Sequence, residues 1–165
     1  MYRAIPIFKT GAEKYDGMNQ YEDAATQRGV SWPDPRFRDN GDGTVTDLMT
    51  ELIWLKDANL NVASLEFSYA VFLPQVNSNY KDISLSLYLP NINELRSLAN
   101  YGRIGNEYLS TFFNNCSSTD KWWTSTSFPN YPALNAYSFD MNAYTITTSD
   151  KTSTFCVWAV RGNSK

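Results

Sequence analysis

Histidine is absent from this 165-residue chain. With it go the usual general base near neutral pH and the commonest transition-metal ligand, so most imidazole-dependent catalysis is excluded. Cysteine occurs only at Cys116 and Cys156, which excludes Cys-rich zinc sites and leaves either one disulfide or two buried thiols. No apolar run approaches the roughly 18 residues that span a bilayer, and the opening MYRAIPIFKTG is too poor in apolar residues for a secretory leader. No membrane insertion is expected. A basic excess is also missing: 14 Lys and Arg face 17 Asp and Glu, for a net charge of -3. Nucleic-acid affinity comes mainly from cations displacing counterions, so no nucleic-acid partner is expected. Neither GxxxxGK nor GxGxxG occurs, and the abundant Ser and Thr have no imidazole partner. The chain reads as a protein that is not an enzyme, with no cofactor required.

Aromatic residues are plentiful, at 5 Trp, 11 Tyr and 9 Phe. They favour β structure and supply rings for contact surfaces. The length suits a single domain over residues 1–165. Residues 1–36 lack periodicity and read as an irregular N-terminal arm packed on that domain, opening with a short strand at residues 4–8 and stiffened at its end by WPDP (32–35). Asn40-Gly41-Asp42-Gly43 then gives two turn signals before the alternating Thr44, Val45, Thr46, which predicts a β-hairpin. The apolar run Leu52 to Leu55 suits a buried strand.

From Ser64, a fair N-cap, the residues Leu65, Tyr69, Phe72, Leu73 and Val76 share one helical face, and Pro74 should kink or end that helix. A second helix is predicted after Pro90. Asn91 can cap the amide of Glu94 and Glu94 can reach back, with Ile92, Leu95, Leu98 and Ala99 as the buried stripe. Residues 121–127, 136–141, 143–148 and 154–160 read as successive strands. The order is strand pair, two helices, strand run, an α+β layout with helices set against antiparallel sheet.

Two candidate sites follow from the residues. Asp39, Asn40, Asp42 and Asp47, with the carbonyl of Thr44, place several hard oxygen ligands close together, the chemistry calcium prefers; the same residues can equally build a tight turn and cap its amides. Between Phe128 and Tyr144, the residues Asn130, Tyr131, Asn135, Tyr137, Asn142 and Tyr144 alternate rigid aromatic area with adaptable amides, as binding loops do. Trp54, Trp122, Trp123 and Trp158 could stack on sugar rings, but they sit in apparent strands, where alternation sends one of Trp122 and Trp123 inward and the other outward.

The ordered motifs KTG (9–11), GVSWPDPRF (29–37), DNGDGTVTD (39–47), IWLKDANL (53–60), LPNINELRSL (89–98), YGR (101–103), WWTSTS (122–127) and VWAVRG (157–162) resemble the DUF1566, or Lcl C-terminal domain, family. The family's usual WRLP reads LYLP at residues 87–90. The resemblance implies a C-type-lectin-like fold, with two helices flanking antiparallel β-sheets. It also implies adhesion, with polysaccharide binding and trimer assembly in an adhesin member. The expected function is a noncatalytic binding module on a bacterial surface or phage particle, hence extracellular or cell-surface. It would recognise a glycan or protein receptor through the loops between its C-terminal strands, the alternative being a homo-trimeric tip.

Overall fold

The computed structural model describes residues 7–60, 64–76, 87–103, 107–116 and 121–162. The chain is mixed α and β, built mostly of antiparallel sheet with few and short helices. A four-stranded sheet has the order β1 (Phe37–Asp39), β2 (Thr44–Asp47), β3 (Ile53–Leu55), β9 (Val160–Arg161). A three-stranded meander follows β5 (Lys121–Ser127), β6 (Asn135–Asp140) and β7 (Thr145–Asp150). Between them β4 (Leu65–Glu66) pairs with β8 (Thr154–Phe155).

The β1–β2 hairpin forms where the turn signals place it. Gly41 and Gly43 adopt φ of 77° and 86°, values that side chains rarely tolerate. β3 is buried along its whole length, as the short apolar run at Leu52 to Leu55 predicts, and β2 is buried throughout as well despite its alternating sequence. Four helical segments are described: α1 (Asp23–Thr26), α2 (Phe67–Val76), α3 (Ile92–Arg96) and α4 (Glu107–Ser110). This replaces the expected pair. At α3 the capping box is complete, with Asn91 Oδ1 accepting from the amide of Glu94 at 3.0 Å and Glu94 Oε2 accepting from that of Asn91 at 2.8 Å.

The helix predicted from Ser64 starts later. Leu65 and Glu66 pair with Phe155 and Thr154 instead, and α2 begins at Phe67 and runs two residues past Pro74. Tyr69, expected on the buried face, is 65% exposed, while Ala70 is buried. The side chains of Phe72, Leu73 and Val76 lie outside the described ones. So does most of the strand expected at residues 4–8, although Phe8 makes a parallel bridge to Val30.

Trp122 and Trp123 are both fully buried, against the alternation expected of a half-exposed strand. The reason is that β5 has a core on each side. Trp122 packs with Trp54, Leu95, Phe139 and Trp158, whereas Trp123 packs with Ala70, Leu89, Ala136 and Val157. Their indole N–H groups donate to the carbonyls of Ala58 (2.8 Å) and Leu65 (2.7 Å), so neither ring carries an unsatisfied donor inside.

The predicted strand at residues 154–160 is broken into β8 and β9, because the stretch joins several elements in turn. Phe155 pairs with β4, Cys156 bridges Trp122, Val157 accepts from the amide of Leu60, Ala159 from that of Leu55, and Val160 bridges Tyr88 and pairs with Trp54. No disulfide links Cys116 to Cys156.

The arm approaches this body most tightly at Gly11. Tyr101 donates its amide to Thr10 O at 3.2 Å, and a Cβ added to Gly102 would fall 1.8 Å from Gly11 O. Only glycine at Gly102 lets the KTG turn seat there.

Candidate functional site

In the hairpin, every predicted metal ligand is engaged by the protein. Asp39 Oδ1 accepts from the amide of Gly41 at 2.9 Å, and its Oδ2 from Lys56 Nζ at 2.5 Å. That cation and that amide hold the Asp39 carboxyl below its ordinary pKa. Asp42 Oδ1 accepts from the amide and hydroxyl of Thr44 at 3.0 and 2.5 Å, and Asn40 bonds the hydroxyls of Thr44 and Thr46. Asp47 is buried and turns toward Arg36. Among the described residues no group of three acidic or thiol side chains is placed to hold a metal ion. The oxygens shape a turn.

The six residues predicted for ligand binding divide between two ends of the meander. Asn130 and Tyr131 lie in the β5–β6 connection and are exposed, Tyr131 by 61%. Asn135 and Tyr137 sit half-buried in β6, opposite Asp150 and Thr148. Asn142 and Tyr144 belong to the β6–β7 turn, beyond a six-residue strand that is roughly 20 Å long. There Tyr144 packs on Tyr101 at 5.4 Å, and burial pushes its hydroxyl pKa up. One contiguous face therefore includes Tyr131 and Tyr137 but not Tyr144.

The β5–β6 connection is held firmly. Phe128 contacts Tyr131 and Tyr137, with ring centroids 6.3 and 5.7 Å away. Tyr131 O accepts from the amides of Leu134 (3.1 Å) and Asn135 (2.9 Å). Lys151 crosses beneath, giving its ammonium to Pro132 O at 2.7 Å and Ser127 Oγ at 3.1 Å. The result is a fixed turn that presents Tyr131 and Leu134, each about three-fifths exposed (61% and 62%), to solvent. The four tryptophans considered for sugar stacking are all fully buried and offer no such platform.

Sequence reasoning passed over a cleft of about 380 Å³ in the arm, lined by Lys9, Glu13, Lys14, Gln27, Ser31 and Trp32 among others. Its walls are fixed by Trp32 Nε1 donating to Lys9 O at 2.6 Å and Gln27 Nε2 to Ala12 O at 2.7 Å. The arm has no periodicity to read, and only the KTG turn and the tryptophan of WPDP hinted at it.

Comparison with known families matches residues 43–161 to the Lcl C-terminal domain. The chain belongs to that family. The Lcl C-terminal domain match runs from the β1–β2 turn through the last residue of β9, so it takes in the Tyr131 turn, whereas the cleft precedes it. No curated protein matches the chain.

Proposed function

We propose that this Lcl C-terminal domain is a noncatalytic binding module that recognises a protein receptor through the turn between β5 and β6. The observation that carries this reading is the exposure of Tyr131 and Leu134 on a turn braced by Phe128, Tyr137 and Lys151. Exposed apolar side chains that are already ordered lose little conformational freedom on docking, which favours their use as contact anchors. The turn projects outward, a shape suited to a protein surface more than to a single sugar ring. A C-type-lectin-like fold, adhesion, and display on a cell surface or phage particle belong to the same proposal, supported by the family resemblance and by the return of β9 beside β3.

A glycan receptor is the second reading, and the arm cleft favours it, because Trp32 there accompanies two lysines and an amide in a concave site. A glycan array and a receptor-protein capture assay, each run on the wild-type chain and on Tyr131→Ser/Leu134→Ser, test both. Protein capture lost in the double variant supports the first reading. Glycan binding that survives it and falls with Trp32→Ala supports the second, and silence in both assays sinks the proposal.

A further inference from the structure

The meander ends at β7, and among the described residues no strand pairs with its outer side. Both cores thin out there: Thr145, Ile146, Thr148 and Asp150 are exposed, whereas Ala136, Ser138 and Phe139 on the neighbouring strand are buried. The β6–β7 register is regular over six pairs, while the β5–β6 register shifts between Trp123 and Ser127. Proteins usually blunt a free edge with Pro, Lys, a bulge or a very short strand. TITTSD has none of these, and its β-branched residues favour extended pairing.

We propose that β7 pairs antiparallel with β7 of a second copy of this chain, joining two meanders into one six-stranded sheet. A two-fold axis through an antiparallel edge runs perpendicular to the sheet, so one residue must lie opposite itself. Thr147 is that residue. This register sets Ile146 opposite Thr148 of the second copy and Thr145 opposite its Ser149, so hydroxyl and aliphatic groups meet and no like charges do. The only charged residue of the strand, Asp150, then lies past the ladder, with the two carboxylates roughly 20 Å apart along it. That exceeds the ~8 Å over which exposed charges act in physiological salt. Choosing a second copy over a foreign peptide rests on this self-complementarity: β7 itself carries no cation, and its one carboxylate is kept out of the ladder, so the strand meets its own copy without a charge conflict. The ladder from Thr145 to Ser149 does not include the Tyr131 turn, and its test reads self-association without any receptor.

Light scattering on the purified chain is expected to give a dimer. Ile146→Lys/Thr148→Lys substitutes two exposed positions that face each other across the axis, placing ammonium groups directly opposite, and is expected to give a monomer with an unchanged near-ultraviolet tryptophan spectrum. Thr147→Cys is expected to cross-link rapidly on oxidation, since directly opposed Cα atoms lie about 4.5–5.5 Å apart, within disulfide reach. Thr145→Cys, displaced four residues from its symmetry mate, serves as the slow control. A wild-type monomer, a trimer, a dimer untouched by the double lysine variant, or equal cross-linking at both cysteines overturns the proposal. A monomer that binds an added TITTSD peptide also overturns it, and assigns the edge to strands from other chains.

Discussion

Arg36 and Asp47 form a two-pronged ion pair sealed from water, with Nε to Oδ1 at 3.0 Å and Nη2 to Oδ2 at 2.7 Å, and side chains only 1% and 0% exposed. The same Nη2 reaches Ser97 O at 2.7 Å, just past α3, while the guanidinium lies over the rings of Trp32 and Phe37 at 4.6 and 4.7 Å. Asp47 further accepts from the amide of Met49 and the hydroxyl of Thr50. The pair thus ties the end of the arm, the hairpin and the end of α3 together.

Removing one partner leaves the other charge buried. Asp47→Ala is expected to destabilise the chain by about 3–5 kcal/mol, the usual penalty for a broken buried pair. Urea unfolding followed by tryptophan fluorescence measures it. A loss under about 1 kcal/mol, the range of exposed pairs, contradicts the sealed geometry.

Stability should fall on the alkaline side. Burial, reinforced by the hydrogen bond to Glu94 Oε1, raises the Tyr88 pKa from 10.0 to about 12. The folded state therefore keeps a proton that the unfolded state releases. The resulting stabilisation is complete below pH 10 and disappears as pH rises toward 12. Burial shifts Tyr108 and Tyr144 in the same direction. Urea midpoints measured across this window should decline less steeply for Tyr88→Phe than for the wild type. Parallel curves refute the assignment.

At Gly102 the smallest side chain is already too large. Gly102→Ala sets a methyl against the backbone oxygen of Gly11, and its removal requires the arm to shift. Overpacking of this kind costs about 1–3 kcal/mol. Limited proteolysis should cut residues 7–36 sooner in the variant while the meander stays protected. An unchanged cleavage pattern means the arm is not held there.

Calcium is expected to leave the melting temperature unchanged. Asp39, Asn40, Asp42 and Asp47 already spend their oxygens and amides on Lys56, Thr44, Thr46, Arg36 and the turn itself. Differential scanning calorimetry with calcium and with chelator decides it, and a rise on adding calcium shows that the hairpin reorganises around the ion.

Features encoded by neighbours in sequence could be read directly. The Asn91–Glu94 capping box and the Asn40 to Gly43 turn need only a few consecutive residues, and β5 to β7 follow from runs of strand formers bounded by turns. Features that depend on distant partners could not. Leu65 and Glu66 look helical until Phe155 and Thr154 arrive to pair with them. Alternation alone sends one of Trp122 and Trp123 outward, and it takes distant partners, Phe67 and Phe155 at ring distances of 5.4 and 4.6 Å among them, to make the Trp123 side a second interior. The candidate site was legible in texture and not in place. Asn130 and Tyr131 are turn residues at one end of β6 and Asn142 and Tyr144 at the other, while Asn135 and Tyr137 lie in the strand itself.

The stretch from Thr154 to Arg161 sets the order in which this domain can assemble on the ribosome. Trp158 donates to the carbonyl of Leu55 across 103 residues, and the adjacent backbone groups join β3, β4 and β5. During translation the hairpin, α3 and the meander can each form from local sequence, yet they remain separate pieces until the last part of the domain emerges. Closing such long loops late slows folding and keeps apolar edges open in the meantime. Nascent chains arrested before residue 154 should therefore hold secondary structure without a common core, and completion should come in one step as the final strand threads between its waiting partners.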